Sequence, residues 1–316
     1  MISRKLASSF LFAAAVAGSA FFVDKRADQR EEAAEAAFPP MGQFVEVDGK
    51  RVHAVVMGQG RDVVLIHGAG GSTRDFTFHL ARRLAEIYRV TVFDRPGMGY
   101  SDDLGEAGND PAAQARQLQA AAHQLRVTHP IVLGHSYGGA VAMAWALDDP
   151  GYTDGLVIVS GATMPFPGDL ALWYKVTGSP LGAALVSPLL TAFASKAQAE
   201  TSIEQIFAPE VAPQGYADYI GVGLTLRRAS LRINGAQVLS LKPHLIAMAP
   251  RYPSLEMPVE ILHGTADTTV PPDIHAVPLS KILPHAHLTL IEGAGHMPHH
   301  THENAVMDAI ARIARR

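Results

Sequence analysis

A short apolar strand that runs into a Gly-x-Ser-x-Gly turn is the feature that most constrains how this chain can fold. Residues 131–133 are Ile, Val and Leu, and Gly134 and Gly138 stand two positions before and after Ser136. A serine in so tight a strand-to-helix turn needs neighbours without side chains, because strand and helix could not otherwise approach. The pattern predicts a nucleophile elbow. The N–H of Tyr137, at the start of the new helix, would point to where an oxyanion forms.

The loop after an earlier predicted strand offers a second backbone donor. The apolar run 63–66 leads into His67, Gly68 and Ala69, and two more glycines follow. Such a loop is flexible and leaves its N–H groups free. We therefore expect the Ala69 N–H to complete an oxyanion hole with that of Tyr137, and Gly68 to support the loop. The His67 side chain is expected to order the loop rather than to act as a second base.

Two later predicted strands end in loops that carry an acid and a base. Residues 259–263 precede Asp267, and residues 288–291 precede a Gly-rich loop that presents His296. A histidine can take the proton of a serine nucleophile, and a carboxylate can hold that histidine in the required tautomer. Ser136, Asp267 and His296 are therefore the catalytic candidates. The competing interpretations are a turn serine, a helix cap and a structural core histidine.

The chain order serine, aspartate, histidine, each just after a strand, resembles that of the α/β-hydrolase superfamily. The resemblance runs from about residue 44 to the C-terminus, and residues 94–101 resemble the turn after the fourth core strand of that superfamily. It implies an α/β fold with a mostly parallel, doubly wound sheet and a helical cap insertion. Haloalkane dehalogenases and epoxide hydrolases carry aspartate at the nucleophile position, so Ser136 disfavours their chemistry. Asp94 is expected to hold the loop beside the elbow.

Strand and helix patterns along the chain predict the same architecture. Residues 44–55 fit an antiparallel hairpin, and strands then alternate with helices, the first of them near 75–87, up to residue 159. The following hundred or so residues lack an evident strand but contain predicted helical stretches, among them 181–194, 203–207 and 216–227. A loop of that length is uncommon. The predicted organisation is a membrane anchor or signal segment at 1–23, a polar, solvated helical spacer at 24–40, core at 41–160, helical cap at 161–256 and core at 257–316.

The N-terminus carries an apolar segment, residues 6–23, behind Arg4 and Lys5. Its length is near the lower limit for a helix that crosses a bilayer. Small residues at 18–20 could form a signal cleavage site, but Phe21 and the residues after it continue the apolar run. We therefore expect an uncleaved membrane anchor with the catalytic domain exported. Secretion or a periplasmic location after signal cleavage is the alternative.

Composition limits the partners and the chemistry. A net charge of −4 gives no bulk attraction for nucleic acid, and the absence of cysteine excludes disulfides, iron–sulfur clusters and cysteine catalysis. Residues 297–303 include three histidines and a glutamate, which are ligand types that zinc accepts. No matching cluster is evident elsewhere in the sequence, so we expect neither a metal nor another cofactor. The expected partners are a small apolar ester and a membrane.

The expected function is hydrolysis of a small or medium carboxylic ester through an acyl-enzyme on Ser136. Carbon–carbon bond hydrolysis, lactonase, amidase or cofactor-free haloperoxidase activity on the same triad are alternatives, as is a non-catalytic binding protein on this fold. The apolar stretch 180–193 in the predicted cap allows two interpretations. It could pack on the sheet beside an ordinary pocket, or it could form an acyl-chain site or a lid that touches lipid.

Overall fold

The computed structural model describes the backbone of residues 4–316 and the side chains of residues 17–316. Eight strands form one sheet in the order β1-β2-β4-β3-β5-β6-β7-β8. Their bounds are β1 Gln43–Val47, β2 Lys50–Met57, β3 Asp62–Ile66, β4 Arg89–Phe93, β5 Ile131–His135, β6 Gly155–Val159, β7 Val259–Gly264 and β8 Ala286–Ile291. The first two strands form an antiparallel hairpin, β2 pairs antiparallel with β4, and the other neighbours are parallel. The predicted α/β class with a mostly parallel sheet is confirmed.

Helices cover both faces of this sheet and fill the long insertion between β6 and β7. They are α1 Arg4–Ala37, α2 Thr73–Thr77, α3 Leu80–Leu84, α4 Pro111–Gln124, α5 Tyr137–Asp148, α6 Leu172–Thr177, α7 Pro180–Phe193, α8 Lys196–Phe207, α9 Tyr216–Tyr219, α10 Val222–Thr225, α11 Arg228–Met248, α12 Ala276–Ile282, α13 Pro298–Thr301 and α14 Glu303–Ala314. Short 3₁₀ segments lie at Gly105–Asn109, Pro150–Tyr152 and Ala249–Ser254.

The hydrophobic core lies on both faces of the sheet. Every residue of β3, β5 and β6 is buried, as expected of central parallel strands covered by helices on both sides. Trp145 and Leu118 pack on one face, and Phe76 and Ile310 pack on the other. The parallel strands end along one edge of the sheet. The loops that carry the candidate residues follow β3, β5, β7 and β8 at that edge, which is where α/β sheets place their ligands.

Several predicted helices differ from the observed ones for local reasons. The helix expected near residues 75–87 is two short helices, because the backbone turns at His79 with φ −141°. The stretch 216–227 is also divided, at Gly221 with φ +64°. A Cβ at Gly221 would lie 2.7 Å from the Phe38 ring, so a close approach accompanies this break. The long helix α11 was not predicted, and it contains Pro243, a residue that normally ends a helix.

Helix α7 corresponds to the apolar stretch in the predicted cap. It packs against α1, α6 and α11. Four large apolar side chains at a spacing of four residues are exposed along it: Leu181, Leu185, Leu189 and Phe193. This exposed face differs from the interpretation in which the stretch packs on the sheet. The predicted boundaries of the core and cap domains stay predictions.

The predicted membrane anchor is wrong. Within the residues that the structure describes, no helix combines the length and the apolar character needed to cross a bilayer. The side chains of residues 1–16, on which part of that prediction rested, lie outside the described residues. From Asp24 onwards the same helix α1 carries many charged groups, and these contact the cap. The predicted membrane partner and the membrane-bound, exported location are corrected with it.

The second half of α1 docks on α7 and α11 instead of being a solvated spacer. Ala27 is fully buried there. The Arg26 Nε donates to the carbonyl of Ala192 at 2.8 Å, and Arg30 Nη2 donates to that of Ala194 at 2.7 Å. These carbonyls lie at the C-terminal end of α7, where the helix leaves its last carbonyl groups unpaired. The two arginines therefore satisfy acceptors that would otherwise need water.

Arg228, the first residue of α11, joins the cap to three acidic side chains of α1. Its guanidinium contacts Asp24, Asp28 and Glu31, and its backbone N–H donates to Glu31 Oε1 at 2.7 Å. These contacts raise the pKa of Arg228, chiefly through the hydrogen bonds from its guanidinium to Glu31. One partly buried arginine therefore holds together three carboxylates on α1 that would otherwise repel one another.

We expect Arg228→Met to lower the free energy of unfolding by about 1–2 kcal/mol, because three carboxylates lose their shared partner. Urea unfolding at low and high salt measures this, and the difference should shrink with salt because partly exposed charges are screened. The matched control Arg232→Met removes an exposed arginine that lies 3.6 Å from Asp103. Its effect should be below about 0.5 kcal/mol. Equal stability of Arg228→Met and wild type would contradict the docking role.

Candidate active site

Ser136 occupies a strained strand-to-helix turn between β5 and α5. Its backbone has φ +53° and ψ −121°, a conformation that side-chain-bearing residues rarely adopt. A Cβ on Gly134 would lie 2.2 Å from the carbonyl oxygen of Gly138, and a Cβ on Gly138 would lie 2.2 Å from that of Ile66. Both glycines are therefore steric requirements of this turn.

The backbone of Ser136 is held by hydrogen bonds on both sides. Its N–H donates to the carbonyl of Val159 at 3.1 Å, and its own carbonyl accepts from Gly139 at 2.9 Å and Ala162 at 3.0 Å. These bonds tie the turn to strand β6 and to the segment after it. Ser136 is almost entirely buried, with 8% of its surface exposed. Three backbone hydrogen bonds therefore hold Ser136 in its strained conformation.

Asp267 and His296 lie together, although 29 residues separate them. The His296 Nδ1 donates to Asp267 Oδ2 at 2.7 Å, and both side chains are buried. The other carboxylate oxygen, Oδ1, accepts from the N–H groups of Thr269 and Val270 at 2.9 Å each. This geometry leaves the Nε2 of His296 free of Asp267 and fixes the tautomer needed for a base.

His263, the penultimate residue of β7, also contacts this carboxylate, and the sequence did not reveal it. Its Nε2 lies 3.1 Å from Asp267 Oδ2 and 2.6 Å from the carbonyl of Val270. Burial by itself would raise the pKa of Asp267, but the hydrogen bonds from His263 and His296 outweigh it and hold that pKa well below its usual value. Asp267 is therefore an anion at neutral pH.

The loop after β3 is ordered by its own histidine. The His67 Nδ1 donates to the Gly68 carbonyl at 2.8 Å, and its Nε2 accepts from the backbone N–H of Arg95 at 3.0 Å. Burial lowers the pKa of His67 to about 4, which keeps the ring neutral as this pattern of one donor and one acceptor requires. Farther along, Gly70 donates its N–H to Asn234 Oδ1 at 2.7 Å and accepts from Thr225 at 2.8 Å.

This loop lies over the candidate nucleophile. A Cβ on Gly68 would come within 3.0 Å of the Ser136 Cβ. Within residues 17–316, the N–H groups of Ala69 and Tyr137 donate to no other protein group. Two unengaged backbone donors thus flank Ser136, one from the loop after β3 and one from the start of α5. Such a pair has the chemistry of an oxyanion hole.

The side chain of His135, the residue before Ser136, contacts the loop that carries His296. His135 Nε2 donates to the carbonyl of His296 at 3.0 Å, and the two rings have centroids 4.9 Å apart. In the described part of the chain, the Ser136 hydroxyl makes no hydrogen bond with the His296 ring. Catalytic hydrogen bonds of this kind often form only when substrate is bound.

Asp94 has a separate set of partners. Its carboxylate lies 2.7 Å from His53 Nδ1 and accepts from the N–H groups of Thr73 and Tyr100. A Cβ on Gly99 would come within 2.1 Å of this carboxyl group, so the turn closes tightly around it. The pKa of Asp94 is lowered, because the contacts with His53 outweigh the effect of burial. Asp94 thus ties the turn after β4 to the hairpin and to α2.

Comparison with known proteins places this arrangement in a family. Residues 63–309 match the sequence profile described as the Alpha/beta hydrolase family. The chain belongs to the alpha/beta hydrolase family. This family and the relatives below support an enzyme that carries out hydrolysis, and they leave its substrate open.

Three similar proteins illustrate the range of this hydrolase family. An uncharacterized protein of Mycobacterium tuberculosis is 28% identical over 87% of this chain and 81% of its own length. A 2-hydroxy-6-oxononadienedioate/2-hydroxy-6-oxononatrienedioate hydrolase of Escherichia coli is 36% identical, but over only 38% of this chain and 43% of its own. The structure of the esterase RhEst1 from Rhodococcus sp. superposes with a TM-score of 0.67 at 24% identity, covering 87% of this chain and 98% of that one.

A buried cluster beside the site of this hydrolase was not predicted as a unit. Asp75 of α2 accepts from His299 Nε2 at 3.2 Å, from His300 Nε2 at 2.8 Å and from the Tyr216 hydroxyl at 2.8 Å. The His299 ring also packs on that of His135, with centroids 4.1 Å apart. The paired histidines were visible in the sequence, but their partner lies more than 220 residues away.

Asp75, His299 and His300 are the residues with donor types that could hold a metal in this cluster. Their candidate ligand atoms lie within 4.8 Å of one another. Each of those nitrogens, however, already faces an Asp75 oxygen at hydrogen-bonding distance, and Tyr216 donates to the same carboxylate. A metal would have to displace these bonds. The prediction that the hydrolase uses no metal or other cofactor stays a prediction.

We predict that this hydrolase loses stability in mild acid, because four of its histidines are buried and have lowered pKa values. Burial lowers the pKa of His67, His275 and His299 from 6.5 to about 4, and burial with the neighbouring imidazoles lowers that of His135 well below 6.5. The unfolded chain therefore binds more protons than the folded one as the pH falls through this range. The stabilisation is complete above pH 6.5 and is lost progressively towards pH 4.

We expect the urea midpoint to be clearly lower at about pH 5 than at about pH 7.5, with a pH slope corresponding to more than one bound proton. His275→Gln should reduce that slope, because it removes one of the histidines whose pKa is lowered in the folded protein. His79→Gln is the matched control, because it removes an imidazole whose side chain is 61% exposed instead of buried. A urea midpoint that stays constant between these pH values would contradict the prediction.

Proposed function

We propose that this alpha/beta hydrolase cleaves carboxylic esters through an acyl-enzyme on Ser136. The observation that carries the proposal is the position of Ser136 at a strained elbow, beside a buried His296–Asp267 pair and between two unengaged backbone N–H groups. A nucleophile, an oriented base and oxyanion donors are the three parts that acyl transfer needs.

In the first step the Ser136 oxygen attacks the carbonyl carbon of the ester while His296 Nε2 takes the hydroxyl proton. The carbonyl electron pair moves onto oxygen, and the N–H groups of Ala69 and Tyr137 stabilise the resulting oxyanion. The oxyanion then reforms the carbonyl, the bond to the leaving alcohol breaks, and His296 gives its proton to the alcohol oxygen. The acyl group remains as an ester of Ser136.

In the second step a water molecule attacks the acyl carbon and His296 accepts its proton. The same two N–H groups hold the second oxyanion. When that intermediate collapses, the Ser136 oxygen leaves with the proton from His296, and the carboxylic acid is released. One ester and one water thus give one alcohol and one acid, and the protein returns to its starting state without a cofactor.

Asp267 stabilises the imidazolium that exists between the two proton transfers. Its carboxylate is held as an anion by four donors, two of them imidazoles and two of them backbone N–H groups. A buried anion next to His296 Nδ1 favours the protonated ring electrostatically and keeps Nε2 directed away from it. The proposed role needs no proton transfer to Asp267 itself.

Carbon–carbon bond hydrolysis is the alternative that a relative supports, through the Escherichia coli hydrolase that matches part of this chain. The two chemistries share the nucleophile and differ in the leaving group, which is a carbanion equivalent in one and an alkoxide in the other. A panel of p-nitrophenyl esters of increasing acyl length, run beside a vinylogous 1,5-diketone, separates them. Turnover of the diketone but of no ester would favour the alternative.

Ser136→Ala should reduce ester turnover by about a thousandfold or more, because the attacking oxygen is removed while the fold is kept. The measurement is hydrolysis of p-nitrophenyl esters, with circular dichroism to establish folding. A fluorophosphonate probe should label wild type at Ser136 and leave the variant unlabelled. Ser160→Ala is the matched control, because Ser160 also has positive φ and is buried. A folded Ser136→Ala protein with a tenth of wild-type turnover would place the nucleophile elsewhere.

Asp267→Asn and Asp94→Asn test which acid serves the base. Asp267→Asn should lower kcat strongly yet keep roughly tenfold to a hundredfold more activity than His296→Ala, because the base remains present. Asp94→Asn should lower the unfolding midpoint and spare kcat in the folded fraction. The combined Asp267→Asn, His296→Ala protein should be no worse than His296→Ala alone. The assignment of the acid would be wrong if Asp94→Asn abolished turnover and Asp267→Asn did not.

A further inference from the structure

Arg95, in the turn after β4, is a fully buried cation whose guanidinium has no anionic partner in the described part of the chain. Its side chain donates to the carbonyls of His67 and Gly68 and to the amide oxygens of Gln114 and Gln237. All four acceptors are neutral. Burial lowers the pKa of Arg95 to about 10, so the group still carries its charge at neutral pH. The neighbouring Asp94 anion acts on Arg95 through space without forming an ion pair with it, and removing a charge from water without a paired counter-ion is costly.

The guanidinium contacts both segments that flank the candidate nucleophile. Nε lies 3.0 Å from the His67 carbonyl oxygen, and Nη2 lies 2.9 Å from the Gly68 carbonyl oxygen. Its Cζ lies 4.4 Å from the centre of the Tyr137 ring. One side chain thus holds the loop after β3 by its carbonyls and the start of α5 by a cation–π contact.

The Gly68 carbonyl belongs to the same peptide unit as the Ala69 N–H. A hydrogen bond from a cation to the carbonyl of a peptide withdraws electron density and makes its N–H a stronger donor. Together with His67 Nδ1, which donates to the same oxygen at 2.8 Å, it also fixes the plane of that peptide and the direction in which the N–H points. The contact at Gly68 therefore acts on the N–H that the proposed mechanism uses.

We propose that Arg95 is the positioning residue of the oxyanion hole, which it aligns through the Gly68–Ala69 peptide and the Tyr137 ring. This inference rests on the proposed function. Its positive charge lies on the side of the site where negative charge develops, so it favours the oxyanion over the uncharged ester. Because Nε and Nη2 engage two carbonyls at once, lysine, whose three N–H donors lie on a single nitrogen, cannot replace the planar fork.

The test uses the full chain with three test substitutions and one control. Arg95→Met should lower kcat on a p-nitrophenyl ester by about a hundredfold to a thousandfold with a small change in KM, because the interaction develops in the transition state. Arg95→Lys keeps the charge but not the fork, and should lower kcat by at least about tenfold. A trifluoromethyl ketone, which forms an oxyanion adduct on the serine, should lose affinity in parallel with kcat.

Gln237→Glu separates catalysis from folding. It places a carboxylate against the guanidinium, so the buried charge gains a counter-ion while the contact to Nη1, now 2.8 Å, is kept. The new ion pair offsets the lost donation from Gln237 Nε2 to the Pro96 carbonyl, now 2.9 Å, so the unfolding midpoint should stay close to that of wild type. The kcat and the ketone affinity should nevertheless fall, since the net positive charge beside the oxyanion is cancelled. Arg312→Met is the control, because Arg312 pairs with Glu260 away from the candidate residues. It should leave kcat unchanged.

The outcomes separate this inference from the proposed function. If a fluorophosphonate fails to label wild type at Ser136, the proposed function and the role of Arg95 are overturned together. If wild type is labelled, but Arg95→Lys and Gln237→Glu keep wild-type kcat and ketone affinity, only the role of Arg95 is overturned. Loss of kcat with unchanged KM in a Gln237→Glu protein of undiminished stability supports it, and remains decisive if Arg95→Met does not fold.

Discussion

The close approach of β5, α5 and the loop after β3, which only glycine permits, is the constraint on which the site depends. A methyl group at Gly134 or Gly138 would meet a backbone carbonyl at 2.2 Å, and one at Gly68 would meet the Ser136 Cβ at 3.0 Å. The approach forces Ser136 into positive φ and brings the Ala69 N–H to the same side. The reactive geometry is thus a consequence of backbone packing, and side chains at these glycines would remove it.

Charge is distributed around this geometry in a way that matches the proposed reaction. Burial keeps four nearby histidines neutral. The Asp267 anion lies beside the proposed base, and the Arg95 cation lies behind the loop after β3. Asp75 and Asp94 are also anions, each held by its own histidine partners. Acyl transfer by a serine creates an imidazolium and an oxyanion at the same time. The Asp267 anion already lies beside the position of the imidazolium, and the Arg95 cation lies on the side of the oxyanion. Fixed charges of this kind need no reorganisation during the reaction.

Local sequence patterns predicted the sheet and the candidate triad, because each strand and the loop after it lie within about ten residues of chain. Gly134 and Gly138 likewise predict the turn at Ser136, because they lie only two residues from it. His263 could have been noticed, since it lies four residues before Asp267. Contacts between distant segments could not be read from such patterns: Asp75 meets His299 across 224 residues, and Arg95 meets Gln237 across 142. The anchor prediction is contradicted because no helix in the described residues is long and apolar enough to cross a bilayer, and the contacts of α1 with the cap, such as Arg228 with Glu31, join segments distant in sequence.

The same distant contacts make the insertion between β6 and β7 part of the surroundings of the proposed oxyanion hole. Asn234 and Gln237 of α11 contact the Gly70 N–H and the Arg95 guanidinium, and Thr225 donates to the Gly70 carbonyl. Any displacement of α11 therefore withdraws partners from the loop whose Ala69 N–H receives the oxyanion in the proposed mechanism. Substrate contacts on the insertion and the alignment of that donor are then coupled. A substrate whose contacts hold α11 in its present position would increase kcat as well as binding affinity, because these remote contacts would help to orient the reacting centre.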